Sequence, residues 1–167
     1  MMNPSVSEDQ ISLEETRKAY LDVSDVIAAD LPLVKVEEDV RYHVGSELLI
    51  TFSGLLIGSF LTGFVNALKE KMFEHLVEKI LKKLSDFTAK ALNTDSVKQQ
   101  EELHHLMNTA IIVVKGSSEA DIKEAIEEGT KKILEVLKSH NFSEDKAKDR
   151  AERIAGALTI IFTKGGK

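Results

Sequence analysis

The chain has 167 residues, of which 43% are hydrophobic and 30% charged, and its formal net charge is −6 at pH 7. These proportions are typical of a folded protein with one core, so we expect a single domain over residues 1–167. The absence of cysteine excludes disulfides and thiolate chemistry, and the negative charge argues against a nucleic-acid partner.

Residues 1–32 are predicted to form a tail and a first helix from about residue 8 to residue 29. Ser7 stands before an acidic first turn, which is typical of a helix start. Pro32 disfavours helix at the residue before it, so the helix should end near Asp30.

Residues 33–47 form an ambiguous connector. Hydrophobic residues alternate with charged or polar ones around Val34 and again around Tyr42. A period of two is typical of a strand, and two short strands would make a β-hairpin over 33–44. An isolated hairpin is only marginally stable, so helical or irregular structure remains the alternative.

The most apolar part of the chain is Leu48–Leu68, which has no ionisable residue between Glu47 and Lys69. These 21 residues match the length of a helix that spans a bilayer, which needs about 20. The same stretch is also suited to the buried central helix of a bundle. If it spans a membrane, the lysines that follow it predict a cytoplasmic carboxyl-terminal part.

Small residues recur along this stretch at helical spacing, in a GxxxG pair and its continuation. Such a face lets two helix backbones approach closely, and it is known from membrane helix dimers. Larger side chains lie on a second face. The residues proposed for membrane association and self-association are Thr51, Phe52, Gly54, Gly58, Ser59, Phe60, Thr62, Gly63, Phe64 and Asn66.

The segment 48–92 is predicted to continue from the apolar stretch into an amphipathic helix. No Gly or Pro occurs between Gly63 and Gly116, and hydrophobic residues from Phe73 to Phe87 recur at steps of four and three. Residues 96–164 are predicted to form three further helices. Ser118 and Asp121 resemble a capping box, and Ser143 is placed to cap the last helix.

Glu101 and His104 have the Glu-x-x-His spacing that ferritin-like metal sites use twice, but no second copy occurs elsewhere. We therefore interpret Glu101–His105 as an exposed polar face, and a metal-binding bundle centred on these residues is a third hypothesis. Phosphate-loop, serine-hydrolase and zinc-protease motifs are absent from the sequence, so neither a cofactor nor an enzymatic activity is predicted.

The sequence thus predicts an all-α bundle of about five helices around one long central apolar helix. Its leading functional prediction is non-enzymatic membrane association or permeabilisation through Leu48–Leu68, with homo-oligomerisation along the small-residue face. The alternative is a soluble helical interaction module, in which the same residues form the core or an interface with a protein partner. The expected location is accordingly cytoplasmic or membrane-associated.

Overall fold

The structure is a computed structural model that describes residues 11–33, 46–68 and 74–165. Every regular element in these ranges is helical, which confirms the all-α prediction for this part of the chain. Six α-helices are present there, rather than about five. They are α1 (Leu13–Ile27), α2 (Ser46–Ala67), α3 (Glu74–Lys90), α4 (Ser96–Lys115), α5 (Glu119–Ser139) and α6 (Glu144–Gly165), with 3₁₀ segments at Ala28–Leu33 and Ala91–Asn93.

The helix starts follow local capping chemistry. Ser12 and Glu15 form a reciprocal capping box, so α1 begins at Leu13, later than the predicted start near residue 8. The Ser118 hydroxyl accepts the Asp121 N–H, which is one of the two bonds of the capping box that the sequence predicted. The connector 34–45, which holds most of the predicted hairpin, lies outside the described residues, and so do residues 8–10.

Where the sequence suggested one helix over 48–92, the structure has two that run antiparallel. Thr51 of α2 lies near Ala91, because the Gln99 side chain bonds both of their carbonyls, whereas Gly58 lies opposite Phe87. Residue numbers therefore rise along α2 and fall along α3. Folding back buries the amphipathic face of α3 against α2, which a straight continuation would leave in water. Residues 69–73 lie outside the described part.

Helix α2 is the centre of the bundle, since α1, α3, α4 and α5 all pack against it. Its long apolar side chains point in every direction and are still almost fully enclosed. A helix that is apolar all round is expected to be buried all round. The fully buried side chains include Phe52, Leu56, Ile57, Phe60, Leu61, Phe64 and Leu68.

Helix α5 packs most extensively against α2, and it too runs antiparallel. Phe60 lies against Gly129, while the ring of Phe52 meets the ring of His140 edge-on at 5.0 Å between centroids. Helix α6 adds Phe162, which stacks on Phe60 and Phe64 at centroid distances of 6.2 and 5.9 Å. The face of larger side chains predicted for α2, which carries Phe52, Phe60 and Phe64, is thus the one that meets α5 and α6.

An ion cluster joins the 3₁₀ segment after α1 to α6. The Asp30 side chain is only 4% exposed and binds Arg150 Nε at 2.8 Å and Lys146 Nζ at 3.3 Å. The hydrogen bond from Arg150 is the main cause of a lowered pKa at Asp30, with burial acting against it and Lys146 supporting it. This buried carboxylate positions the carboxyl end of α1 on the bundle.

We expect Asp30→Asn to lower the free energy of unfolding at pH 7 by about 1.5–3 kcal/mol, because charge-assisted hydrogen bonds are lost. The pKa of Asp30 is lower in the folded protein than in the unfolded chain, where it is about 3.9, so the ionised carboxylate stabilises the fold above that pH. This stabilisation is lost as the pH falls through the folded-state pKa. Urea titrations of wild type and variant at pH 7 should therefore differ, and the difference should shrink below about pH 4.

The matched control is Asp22→Asn, which removes the i,i+4 partner of the exposed Lys18. Its effect should stay below about 0.5 kcal/mol, as for surface ion pairs in general. Equal effects of the two substitutions would show that the Asp30 cluster contributes no more than a surface pair.

Candidate functional site

The candidate site is α2 itself, and the structure places most of its predicted residues inside the protein. Of the ten predicted residues, Thr62 is half-buried and Asn66 is exposed. The others are buried: Thr51, Phe52, Gly54, Gly58, Ser59, Phe60, Gly63 and Phe64. The small-residue face is therefore occupied by other helices of the same chain.

Gly54 makes room for a buried amide from α4. A Cβ atom built on Gly54 would lie 1.8 Å from Gln99 Oε1. The Gln99 amide donates to the carbonyls of Thr51 and Ala91, at 3.3 and 2.8 Å, and accepts the Tyr20 hydroxyl at 2.7 Å. One side chain of α4 thus joins α1, α2 and the 3₁₀ segment that follows α3. Burial, with a smaller effect of the Glu102 charge, raises the pKa of Tyr20, so its hydroxyl stays a donor.

The other glycines of α2 serve different neighbours. A Cβ on Gly58 would lie 2.8 Å from the Phe87 ring of α3. A Cβ on Gly63 would lie 2.5 Å from the backbone oxygen of Glu128, and Gly129 of α5 in turn faces the backbone and ring of Phe60. Helix α2 and helix α5 therefore approach each other at backbone level, with a glycine from each side.

All four hydroxyl groups in the interior of α2 bond to carbonyls of α2 itself. Thr51 donates to the Glu47 carbonyl at 2.9 Å, and Ser53 to that of Leu49 at 2.8 Å. The remaining two follow the same i−4 pattern. Ser59 donates to Leu55 at 2.8 Å and Thr62 to Gly58 at 2.9 Å. Each of these hydroxyl donors is thus paired within α2. They would remain paired if α2 moved into a non-polar environment.

Polar links from α2 to its neighbours are few. The Ser53 hydroxyl lies 2.9 Å from that of Ser24 in α1. The Glu47 carboxylate accepts the backbone N–H and the hydroxyl of Ser96, at 3.1 and 3.0 Å, at the start of α4. With the Gln99 amide, these links connect α2 to α1 and α4. Sequence reasoning missed Gln99, Ser24 and Ser96, because their spacing to α2 along the chain carries no pattern.

His104 lies in a different place from the exposed face that the sequence suggested. It is half-buried between α4 and α1, and its Nδ1 lies 2.9 Å from the Thr16 hydroxyl. Its Nε2 lies 3.3 Å from the Asn108 amide nitrogen, so both ring nitrogens have protein partners. Among the described residues, no three His, Asp or Glu side chains come together as a metal site would require.

A shallow groove of about 300 Å³ lies between α3 and α4. Its apolar floor is formed by Phe87 and Leu106, and its rim carries charges of both signs. Lys90 and Glu102 form an ion pair across it at 3.4 Å. The rim therefore presents no excess of either sign to a ligand.

The glycine contacts predict opposite effects for two Gly→Ala changes that are equal in helix propensity. Gly63→Ala should destabilise by about 1–3 kcal/mol, because the new methyl group meets a backbone carbonyl that cannot move aside. Gly156→Ala in α6 should stabilise by about 0.5–1 kcal/mol, because nothing lies within 4 Å of the added atom. Urea or thermal unfolding measures both, and a stabilising Gly63→Ala would contradict the close approach of α2 and α5.

Comparisons of this chain with protein-family models, with curated proteins and with solved structures find no match.

Proposed function

We propose that this protein is a non-enzymatic, membrane-associating helical bundle. In aqueous solution it keeps α2 buried in its core, and at a lipid bilayer it transfers α2 into the membrane. The observation that carries the proposal is that α2 satisfies its own polar groups and is otherwise apolar. It has the length and composition of a membrane span, no ionisable residue between Glu47 and Lys69, and interior hydroxyls that bond only to its own carbonyls or to Ser24.

Lipid accepts only segments whose polar groups are satisfied internally. Leaving the protein core would separate the Ser53 hydroxyl from Ser24 but not from the Leu49 carbonyl. The Thr51 carbonyl would lose the Gln99 amide but keep its place in the helix. The transfer therefore exposes few unpaired groups, while the apolar side chains exchange one non-polar environment for another.

Release of α2 would also free its small-residue face. In the closed bundle Gly54 faces Gln99 and Gly58 faces Phe87. Once these neighbours move away, the glycines offer a close-packing surface to a second copy of α2, which is the self-association that GxxxG faces support in membranes. If α2 then spans the bilayer, the positive-inside bias favours a cytoplasmic location for α3–α6.

The second candidate is a soluble interaction module in which α2 never leaves the core. It is favoured by the burial of α2, since 78% of the most apolar stretch of this helix is buried in the protein. Core helices of soluble proteins have the same composition. The two candidates make different predictions when α2 is tied to a neighbouring helix.

We expect Ser24→Cys/Ser53→Cys to provide such a tie, because the two hydroxyl oxygens lie 2.9 Å apart and the chain has no other cysteine. The oxidised variant holds α1 on α2, so it should remain in the supernatant when mixed with phosphatidylglycerol/phosphatidylcholine vesicles. The reduced variant and the wild type should sediment with the vesicles and resist extraction with alkaline carbonate.

The single variants Ser24→Cys and Ser53→Cys are the controls for the substitutions themselves, and reductant restores the double variant. Vesicle binding that is the same in the oxidised and reduced forms would exclude release of α2 from α1. Wild-type protein that stays soluble with every vesicle preparation between pH 5 and pH 8 would favour the soluble module.

A further inference from the structure

The amino-terminal half of α1 is attached to α4 by a chain of polar side chains centred on His104. The backbone N–H of Ile11 donates to Asn108 Oδ1 at 3.0 Å, and the Thr16 hydroxyl lies 2.9 Å from His104 Nδ1. One turn further on, Tyr20 bonds to Gln99. The pairs 11–108, 16–104 and 20–99 show that α1 runs antiparallel along α4.

The hydrogen-bond geometry determines which form of His104 fits. A backbone N–H can only donate, so the Asn108 oxygen faces Ile11 and the Asn108 nitrogen faces the ring. That nitrogen also donates to the His104 carbonyl at 3.2 Å, which agrees with this orientation. His104 Nε2 must therefore accept, and a neutral ring then carries its proton on Nδ1 and donates to Thr16.

The Thr16 hydroxyl completes the chain by donating to the Ser12 carbonyl at 3.4 Å. A second proton on the ring would place Nε2–H against the Asn108 N–H, donor against donor. The imidazolium form thus loses a hydrogen bond and gains a repulsive contact in a half-buried position. Burial, together with the neighbouring His105, lowers the pKa of His104, in agreement with this geometry.

We propose that His104, Asn108 and Thr16 form a proton-sensitive latch that holds α1 over α2 at neutral pH and releases it on acidification. The inference rests on the proposed function, because it names the signal for the release of α2. Helix α1 covers α2 directly, with Tyr20 beside Gly54 and Ser24 bonded to Ser53. Loosening α1 therefore uncovers α2 around Ser53 and Gly54, the amino-terminal part of its small-residue face.

In the described part of the chain, the charged groups on the neighbouring helices have bonding partners other than His104. On α1, Glu15 binds the Ser12 N–H as part of the capping box, and the neutral Tyr20 lies one turn away. On α3, Lys90 pairs with Glu102 of α4. On α6, Lys146 and Arg150 bind Asp30 beyond the far end of α1, and α2 has no ionisable residue between Glu47 and Lys69.

On α4 itself, Glu101 is exposed one turn before His104, and the His105 ring lies 5.7 Å from the His104 ring. A positive charge on His105 adds to the repulsion. Since the folded pKa lies below the unfolded value of about 6.5, the unfolded or open state binds more protons as pH falls. The closed state, with α1 over α2, is thus favoured above pH ~6.5. Below that pH the ratio of closed to open protein falls by at most about tenfold per pH unit.

Amide hydrogen exchange of α1, measured without lipid and corrected for the intrinsic rate, tests the latch. Protection of Leu13–Ile27 should fall between pH 7 and pH 5 in the wild type. His104→Gln cannot take up the proton, so its protection should not change over this range. His105→Gln removes the smaller, electrostatic contribution of the neighbour and leaves the burial of His104 unchanged, so protection of α1 should still fall at pH 5, though less than in the wild type.

Asn108→Asp provides a test with the opposite sign. The carboxylate keeps an acceptor for the Ile11 N–H and replaces the opposing donor with a partner for the imidazolium, so the pKa of His104 should rise. Nuclear magnetic resonance titration of the ring should show this rise, and protection of α1 should be retained at pH 5. This variant also keeps the latch testable if His104→Gln does not fold.

Vesicle sedimentation at pH 7 and pH 5 then separates the latch from the proposed function. Acid-induced binding that is lost in His104→Gln and in Asn108→Asp supports both. Acid-sensitive protection of α1 without vesicle binding retains the latch and contradicts membrane association. Protection of α1 that depends on pH equally in wild type and His104→Gln, or an unchanged His104 pKa in Asn108→Asp, overturns the latch.

Discussion

The structure depends on one constraint, which is that α2 is apolar on all its sides and must be covered on all of them. An amphipathic helix needs one neighbour, whereas a helix of this kind needs a complete surround. Helices α1, α3, α4 and α5 pack along α2, and α6 contributes Phe162 to its aromatic face. The apolar stripes of these amphipathic helices therefore all turn toward the same central axis.

The glycines determine how closely the surrounding helices can approach α2. Gly63 and Gly129 bring α2 and α5 into backbone contact, and Gly58 accepts the Phe87 ring from α3. Each interior glycine weakens a helix by about 1 kcal/mol relative to alanine, so these positions gain stability only when a neighbour fills the space. Gly156 of α6 faces open solvent and has no such neighbour, so it gains no packing in return for its lower helix propensity.

Polar side chains determine where each surrounding helix sits along α2. Gln99 is almost fully buried and makes three hydrogen bonds, which fix α1, α2 and the 3₁₀ segment after α3 against α4. Asp30 performs the same task for the other end of α1 through Arg150. Helix α1 is thus held by hydrogen bonds and an ion cluster as well as by its apolar face. A further attachment, from Thr16 to His104, includes the imidazole of the proposed latch, and it is the one that acidification would loosen.

The amino-acid sequence by itself determined the helical class, the position of α2 and the caps at Ser118 and Ser143, because these depend on local composition and periodicity. It also indicated that the glycines of α2 need close partners. Only the tertiary structure decided that α3 folds back on α2, that the partners of Gly54, Gly58 and Gly63 come from this chain, and that His104 faces Thr16. These contacts join residues up to about a hundred positions apart, as in the Ile11–Asn108 pair. Pairings of that kind follow from how whole faces are buried together, and no short-range pattern specifies them.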